Sequence, residues 1–285
     1  MQEAIGIIGG SGLYEMEGLE DVRAGSVPTP FGMPSDNLIC GNYGAKKLVF
    51  LPRHGKGHRY MPSEVPYRAN IYALKSMGVT QVLSLSAVGS LSEEAKPGDI
   101  VVPDQFIDRT VSRPNTFFGN GIVGHVGMAD PVCPRLTEAI LKVGEGMEPT
   151  FHSGGAYVGI EGPTFGTRAE SHLYRSWGAR VVGMTNATEA KLAREAELCY
   201  VTVAMVTDYD CWHEEDVTIE TILAVLAQNV ENSREIIRRA VTLLSEQGGC
   251  ACRSAAQYAV MTPAELIPAE TRRKVELLYG KYLKG

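Results

Sequence analysis

Short apolar runs alternate with amphipathic stretches along most of the chain. The apolar runs are rich in β-branched residues and are bounded by glycine, proline or polar turns, as is typical of buried strands. They predict strands at 5–8, 38–40, 47–51, 79–85, 98–103, 156–160, 180–184 and 199–207. The amphipathic stretches predict helices at 62–77, 134–147, 167–177, 187–196, 217–246 and 268–283. This alternation predicts a single α/β domain in which a mixed β-sheet is flanked by helices.

A glycine-rich break at Gln247-Gly248-Gly249 divides the chain. We expect one domain over residues 1–246, and a C-terminal extension over 247–285 that packs on the same domain. The extension holds Cys250-Ala251-Cys252 and the last predicted helix. Within the first part, the segment 108–133 is irregular and long, and such loops usually serve a function or bind a partner.

Composition restricts the classes of ligand and the location. The net charge of -6 gives no general attraction to nucleic acid or to an anionic membrane, so an anionic substrate needs a local site. No apolar run approaches the length of a membrane helix, and the first residues lack the features of a signal peptide. A cytoplasmic location is therefore expected.

The six cysteines fall into two groups. Cys40, Cys133, Cys199 and Cys211 lie in apolar segments, which suits reduced thiols in a core. The close pair in Cys250-Ala251-Cys252 is different. It could form a strained, reducible disulfide, bind a metal or remain as free thiols, and the spacing does not choose among these.

Polar side chains follow several of the predicted strands. Ser11 lies in the glycine turn Gly9-Gly10-Ser11-Gly12, which lacks the spacing of a dinucleotide-binding or Walker phosphate loop. Arg53 and His54 stand among glycines after the strand 47–51, and Ser86 follows the strand 79–85. Backbone N–H groups, a hydroxyl and a guanidinium fork suit a small anion such as phosphate. Taken singly, each could equally be a plain turn or a solvated loop.

Asp208 and Asp210 come directly after the apolar run 200–205. A carboxylate at the carboxyl end of a buried strand lies between a dry core and a cleft, where its pKa can rise and it can act as an acid. Two alternatives remain open, which are a solvated strand end and a metal site that adds His213 and Glu214. Phe165 and Met184 could supply apolar walls for a flat base or a sugar.

Seven segments in this order resemble those of the methylthioadenosine phosphorylases, a family of the trimeric purine nucleoside phosphorylase class. They are Gly9–Leu13, Pro52–Gly55, Ala87–Leu91, Pro97–Val101, Asp104–Thr110, Glu161–Pro163 and Thr207–Trp212. The resemblance covers residues 4 to 246, and the tail is similar to family members with a Cys-x-Cys near the C-terminus. It implies a nucleoside phosphorylase fold and an oligomer, either a trimer or a dimer of trimers.

The resemblance also assigns roles to individual residues. It implies a phosphate site formed by Ser11, Arg53, His54, Ser86, Ala87 and Thr185. It implies a nucleoside site formed by Met184 beneath the ribose, Phe165 at the base, Asp208 and Asp210 facing the purine, Ile219 and Ile222 around the methylthio group, and His125 from a neighbouring subunit. Asp208 and Asp210 would be the catalytic pair.

The implied reaction is cleavage of S-methyl-5'-thioadenosine by phosphate, which gives adenine and 5-methylthioribose 1-phosphate. Inorganic phosphate is a co-substrate, and neither a cofactor nor a metal is expected. Serine replaces the family's threonine at Ser11 and Ser86, and Thr185-Asn186-Ala187-Thr188 departs from the usual Thr-Thr-Val-Pro. A methylthioinosine or general purine nucleoside phosphorylase is therefore an alternative. A hydrolytic nucleosidase is a more remote alternative, because a hydrolase does not need a phosphate site. A non-catalytic nucleoside-binding protein is also more remote, because it does not need a catalytic acid.

Overall fold

The computed structural model describes residues 3–10, 12–213, 219–244 and 250–283, apart from the side chains of 219–224 and 226. The strands are Ala4–Gly9 (β1), Leu19–Gly25 (β2), Leu38–Tyr43 (β3), Lys46–Pro52 (β4), Val79–Ser90 (β5), Ile100–Val102 (β6), Gln105–Asp108 (β7), Phe151–Ser153 (β8), Ala156–Gly159 (β9), Ala179–Gly183 (β10) and Cys199–Tyr209 (β11). The helices are Tyr67–Ser76 (α1), Pro134–Val143 (α2), Arg168–Ser176 (α3), Asn186–Glu195 (α4), Ile219–Leu243 (α5) and Ala269–Tyr279 (α6). Two short 3-10 helices are Ala251–Ser254 and Ala264–Leu266.

All the described strands join one mixed sheet, so the predicted α/β class is confirmed. The main path runs β2-β3-β4-β1-β5-β10-β9-β7, and β11, β6 and β8 branch from β5. β1 is parallel to β4 and β5, and β11 is parallel to β5. The residues of β1 and nearly all of β11 are buried on both faces, which is why these strands are continuous apolar runs in the sequence.

β5 is the central strand and has different partners along its two edges. One edge pairs with β11 from Gln81 to Ser90. The other edge pairs with β1 as far as Ser84, and then with antiparallel β10 only at Gly89 and Ser90. Among the described strands, none pairs with this second edge from Leu85 to Val88. The sheet is thus interrupted at its centre, beside the ends of β1 and β4.

The structure differs from the predicted elements in three ways. α1 begins at Tyr67 and not at residue 62, because Pro66 disfavours a helical conformation in the residue before it. β5 and β11 are longer than predicted and run into the polar residues at their ends. β2, β7 and β8 were not predicted, since β2 is mostly exposed and the other two have three or four residues.

The C-terminal extension packs against the main sheet and its helices. Ala256, Val275 and Leu278 belong to the same buried apolar cluster as Ile71 and Leu74 of α1. Its backbone also pairs with the segment before α2, where the N–H of His125 donates to the carbonyl of Ala259 (2.9 Å). No helix in the described part of the chain has the length and apolar character needed to cross a membrane.

Candidate active site

The interruption in the sheet brings several predicted phosphate-binding residues together. Ser86 and Ala87 lie on the unpaired stretch of β5, and Ala87 is exposed although its neighbours in the strand are buried. Arg53 follows β4 and donates its backbone N–H to the carbonyl of Gly9 at the end of β1 (2.9 Å). The antiparallel register of β10 leads from Val182, opposite Gly89, toward Thr185. The result is a cleft whose wall includes free backbone edge, as anion sites often do.

Arg53 is held by protein groups on most sides. Its Nε donates to Glu189 Oε1 at 2.5 Å, and its Nη2 donates to Ser84 Oγ at 2.6 Å and to Glu189 Oε2 at 3.2 Å. Nη1 donates to the carbonyl of Leu85 at 3.0 Å. The guanidinium group that was predicted to bind phosphate therefore binds the carboxylate of Glu189, and one N–H of Nη1 remains available for a ligand. Burial would lower the pKa of Arg53, but the carboxylate of Glu189 raises it above its ordinary value.

His54 is oriented by a backbone carbonyl. Its Nδ1 lies 2.8 Å from the oxygen of Tyr60, and a carbonyl can only accept, so Nδ1 carries the proton. Burial, together with the charge of Arg53, lowers the pKa of His54 to about 4. At neutral pH the ring is neutral and Nε2 is an acceptor. The N–H group of His54 that was predicted to donate to an anion therefore donates to the carbonyl of Tyr60.

A buried polar network lies beneath the cleft. The amide nitrogen of Asn186 lies near three acceptors, which share its two protons: Ser84 Oγ (2.9 Å), the Tyr200 hydroxyl (3.0 Å) and Thr202 Oγ1 (3.2 Å). The Tyr200 hydroxyl donates to Glu189 Oε2 at 3.0 Å. Asn186 is fully buried, so the departure from the family pattern at this position faces the core and not the cleft. Thr185, the preceding residue, is also buried and contacts the Asn186 side chain.

Asp208 lies within β11 and not after it. The register with β5 shifts between Val206 and Asp208, and such a bulge re-aims the side chain that follows. Burial raises the pKa of the Asp208 carboxyl above its ordinary value of 3.8, and the charge of Asp210 acts in the same direction, whereas the hydroxyl of Thr207 opposes them. Asp208 and Asp210 both lie close to Gly89. The structure thus places the acidic pair near the end of β5, on the side of β11, whereas Arg53 lies beside the opposite edge of β5.

The hydroxyl of Thr207 has two acceptors within reach. Thr207 Oγ1 lies 2.5 Å from Asp208 Oδ1 and 3.2 Å from the carbonyl of Val88. The hydroxyl that donates to Asp208 Oδ1 favours the ionised carboxylate, so it opposes the effect of burial on the pKa of Asp208.

Met184 is positioned by a side chain that the sequence did not single out. Arg113 comes from the long irregular segment and is almost fully buried. It donates to the carbonyls of Met184, Ile160 and Glu161 and forms an ion pair with the Glu161 carboxylate (3.1 Å). Burial would raise the pKa of Glu161, but donors from Ser63 and from the backbone of residues 111 and 112 lower it to about 2. An ionised Glu161 therefore anchors Arg113.

The remaining predicted site residues are more peripheral or are not described. Phe165 is 84% exposed in the single chain. His125 is exposed on the segment that pairs with the C-terminal extension. Ser11, the side chains of Ile219 and Ile222, and Glu214 of the alternative metal site lie outside the described residues. Cys250 and Cys252 are free cysteines and are not bonded to each other.

The carboxylates of Glu189 and Glu161 were not identified from the sequence as site residues. Glu189 had a detectable signal, because it lies in the first turn of α4 on a face otherwise formed by Ala190, Ala193 and Leu192, and all of these are buried. A charge on such a face requires a buried partner. Glu161 lay in a recognised segment, but the contact with Arg113 joins positions 48 residues apart, and spacing along the chain does not reveal such a pair.

Residues 4–242 match the model of the phosphorylase superfamily. The chain belongs to this superfamily. A relative from Geobacter sulfurreducens, named S-methyl-5'-thioadenosine phosphorylase, is 55% identical over 99% of this chain and 100% of its own length. A relative of the same name from Koribacter versatilis is 53% identical over 99% of this chain and 97% of its own.

Solved structures with the same fold support this assignment. A methylthioadenosine phosphorylase from an antarctic soil metagenomic library superposes with a TM-score of 0.94 at 48% identity, covering 97% of this chain and 99% of that one. Methylthioadenosine phosphorylase from Schistosoma mansoni in complex with adenine has a TM-score of 0.85 at 39% identity, and the match covers 91% of this chain and 99% of that one. The superfamily fold predicted from the sequence segments is therefore confirmed.

Proposed function

We propose that this chain is a phosphorylase that cleaves S-methyl-5'-thioadenosine with inorganic phosphate, giving adenine and 5-methylthioribose 1-phosphate. The near full-length similarity to enzymes of that name supports the substrate. The observation that carries the proposal is that two features flank the same end of β5. On one edge of β5 the stretch near Ser86, which pairs with no described strand, suits an anion, and on the other edge Asp208 of β11, opposite Gly89, is an acid with a raised pKa.

Phosphate binds in the interruption of the sheet. Backbone N–H groups of the glycine turn and of β5, with the hydroxyls of Ser11 and Ser86, donate to its oxygens, and the hydroxyl of Thr185 turns to it from the Asn186 side chain. The ion pair with Glu189 offsets most of the charge of Arg53, so neutral donors supply much of the attraction. His54 Nε2 accepts a hydrogen bond from the P–OH group of the phosphate, which orients the anion with its charged oxygens toward the sugar.

Catalysis follows from stabilising separated charges. As the glycosidic bond breaks, the ribose becomes oxocarbenium-like and the purine accumulates negative charge. The bound phosphate stabilises the cation and is held in position to attack the anomeric carbon. Asp208 donates a proton to the leaving purine, which typically contributes on the order of 10²–10⁴-fold. Burial keeps the pKa of Asp208 raised, the charge of Asp210 adds to this effect, and Asp210 contacts the base. Neither a cofactor nor a catalytic metal takes part.

The nucleoside is held by apolar contacts from several segments. Met184 packs beneath the ribose, Phe165 covers the base, and Ile219 and Ile222 surround the methylthio group. Phe165 and Val111 are 84% and 90% exposed in the single chain, which supports their coverage by another subunit in a trimer or a dimer of trimers. His125, on the exposed loop, then reaches a neighbour's site. The enzyme works in the cytoplasm.

The reaction is tested by measuring adenine release from S-methyl-5'-thioadenosine with and without added phosphate. We expect release that depends strictly on phosphate, together with formation of the sugar 1-phosphate. Release without phosphate would indicate a hydrolase, and binding without release would indicate a nucleoside-binding protein. Methylthioinosine, adenosine and inosine, assayed in parallel, distinguish the 6-amino from the 6-oxo specificity.

A further inference from the structure

Four cysteines from distant parts of the sequence meet on the side of the domain where the C-terminal extension docks. They are Cys133, Cys199, Cys250 and Cys252, and all four Sγ atoms lie within 4.8 Å of one another. Cys133, Cys199 and Cys252 are buried, and Cys250 is half-buried. They form the one group of metal-ligating side chains found in the parts of the chain that the structure describes.

Rigid elements fix each of these cysteines. Cys133 immediately precedes α2 and donates its backbone N–H to the carbonyl of Tyr200 (2.9 Å). Cys199 is the first residue of β11. Cys250 precedes the short 3-10 helix that contains Cys252, and the N–H of Arg253 closes this turn onto the carbonyl of Cys250 (3.1 Å). The turn presents both sulfurs of the Cys-x-Cys to the other two.

Two of the distances between the sulfurs are close to those of tetrahedral coordination. Cys250 Sγ lies 3.6 Å from Cys133 Sγ and 3.5 Å from Cys199 Sγ. Four thiolates at about 2.3 Å from one Zn²⁺ ion are about 3.8 Å apart along the edges of the tetrahedron. A four-iron cluster holds each thiolate on a separate iron and spreads the sulfurs farther, so this spacing suits a single ion.

Two arginines supply the charge that such a centre needs. Arg135 Nη2 lies 3.9 Å from Cys199 Sγ, and Arg194 Nη1 lies 4.0 Å from Cys252 Sγ. Four thiolates around one divalent cation carry two excess negative charges, which two guanidinium groups match. Neutral thiols would gain little from such neighbours, because cations favour the thiolate form. The charge pattern is therefore that of a thiolate centre.

The geometry points to a structural Zn²⁺ site formed by Cys133, Cys199, Cys250 and Cys252, separate from the cleft between the ends of β1, β5 and β10. The ion joins the start of the C-terminal extension to α2 and β11. The extension in turn pairs with the segment around His125 through the contacts Ala259 to His125 and Met261 to Val123. Zinc binding thus stabilises the extension on the domain and, through it, the loop that carries His125.

The site is tested first by metal analysis of the full chain, purified under reducing conditions and loaded with zinc sulfate. We expect about one zinc per chain that survives gel filtration. Cys250→Ser and Cys252→Ser should each lose the bound zinc, whereas the control Cys40→Ser, a half-buried cysteine outside the group, should retain it. Wild-type protein without zinc, or equal loss from the Cys40→Ser control, overturns the proposal.

A second measurement uses the unmodified chain and does not depend on the folding of a variant. The reduced protein is alkylated with iodoacetamide with and without Zn²⁺, and each cysteine is quantified by mass spectrometry. Zinc should slow the alkylation of the four clustered cysteines and leave Cys40 and Cys211 unchanged. Uniform rates, or recovery of the four as disulfides from reductant-treated protein, contradict the site. Arg135→Gln should weaken zinc binding by about 10–100-fold.

Discussion

Arg53 Nε and Glu189 Oε1 form an ion pair at 2.5 Å in which both side chains are nearly inaccessible to solvent. The pair joins the end of β4 to the first turn of α4, across the floor of the proposed phosphate site. Arg53, the cation predicted to bind phosphate, is therefore already paired with a carboxylate of the protein. Its guanidinium group lies at the proposed site, but Glu189 neutralises much of its charge.

Glu189→Gln should destabilise the protein strongly, because it leaves Arg53 as an uncompensated buried charge. Breaking a buried pair by removing one partner costs about 3–5 kcal/mol. Unfolding in urea measures the change. Glu231→Gln is the control, because it breaks the exposed pair with Arg234 on α5 and should change the free energy of unfolding by about 1 kcal/mol or less. Equal effects of the two substitutions would refute a structural role for the buried pair.

Asp208→Asn should shift the preference for the purine. An amide can donate to a 6-oxo group, whereas the carboxyl group accepts from a 6-amino group. We expect the ratio of kcat/KM for S-methyl-5'-thioadenosine to that for inosine to fall by roughly ten- to a hundredfold, since one mispaired buried hydrogen bond costs about 1–3 kcal/mol. An unchanged ratio would show that Asp208 does not determine the preference for the purine base.

Asp210→Asn should change the pH dependence of kcat. The charge of Asp210 helps to raise the pKa of Asp208, so its removal lowers that pKa. Asp208 must be protonated to donate, and the alkaline limb of the profile should therefore move to lower pH. Glu94→Gln, which neutralises an exposed carboxylate on the loop after β5, is the control. A shift to higher pH would contradict the assignment of the acid.

The same carboxyl group affects stability. Because the pKa of Asp208 is raised in the folded protein, ionisation favours the unfolded state. This group's contribution to stability is complete below its ordinary value of 3.8 and is lost as the pH rises through its folded value. The gain in unfolding free energy from Asp208→Asn, relative to wild type, should therefore increase with pH over that interval. Urea unfolding at a series of pH values measures this, and a constant difference would argue against the raised pKa.

Arg113→Lys should impair turnover by displacing Met184. The guanidinium donates to the carbonyls of residues 160, 161 and 184 from two separate nitrogens, and the single Nζ of lysine cannot occupy both positions. A displacement of about 1 Å at a site can cost about 10²-fold in rate. We expect kcat/KM for the nucleoside to fall by about 10–100-fold, while KM for phosphate changes little. Arg180→Lys, which also removes contacts to two carbonyls, is the control at the other end of β10.

The sequence predicts the sheet well where strands are apolar on both faces, as in β1 and β11. It fails for β2, whose residues are mostly exposed, and for β7 and β8, which are too short to show a pattern. The end of β11 was placed too early because Asp208 is polar, although the strand continues past it through a bulge. A polar functional residue near the end of a strand is easily mistaken, in the sequence, for the first residue of a loop.

The site shows a similar division. Arg53, Ser86 and Asp208 were detectable because they lie at or near the carboxyl ends of parallel strands, which meet at one end of the sheet. The tautomer of His54 and the partner of Arg53 were not, because they depend on Tyr60 and Glu189 in three dimensions. The departure at Asn186 suggested a change at the base, yet its side chain is part of the buried network. The separation of two residues along the chain does not reveal whether their side chains form a buried hydrogen bond.

The unpaired edge of β5 from residue 85 to 88 separates two arms of the sheet, one built on β1 and the other on β10. A ligand bound there bridges the two arms at the centre of the sheet. Occupancy should therefore slow the hydrogen exchange of central amides more than that of surface loops, and should raise the midpoint of thermal unfolding with ligand concentration. We therefore expect phosphate to stabilise the sheet of this protein as well as to take part in its chemistry.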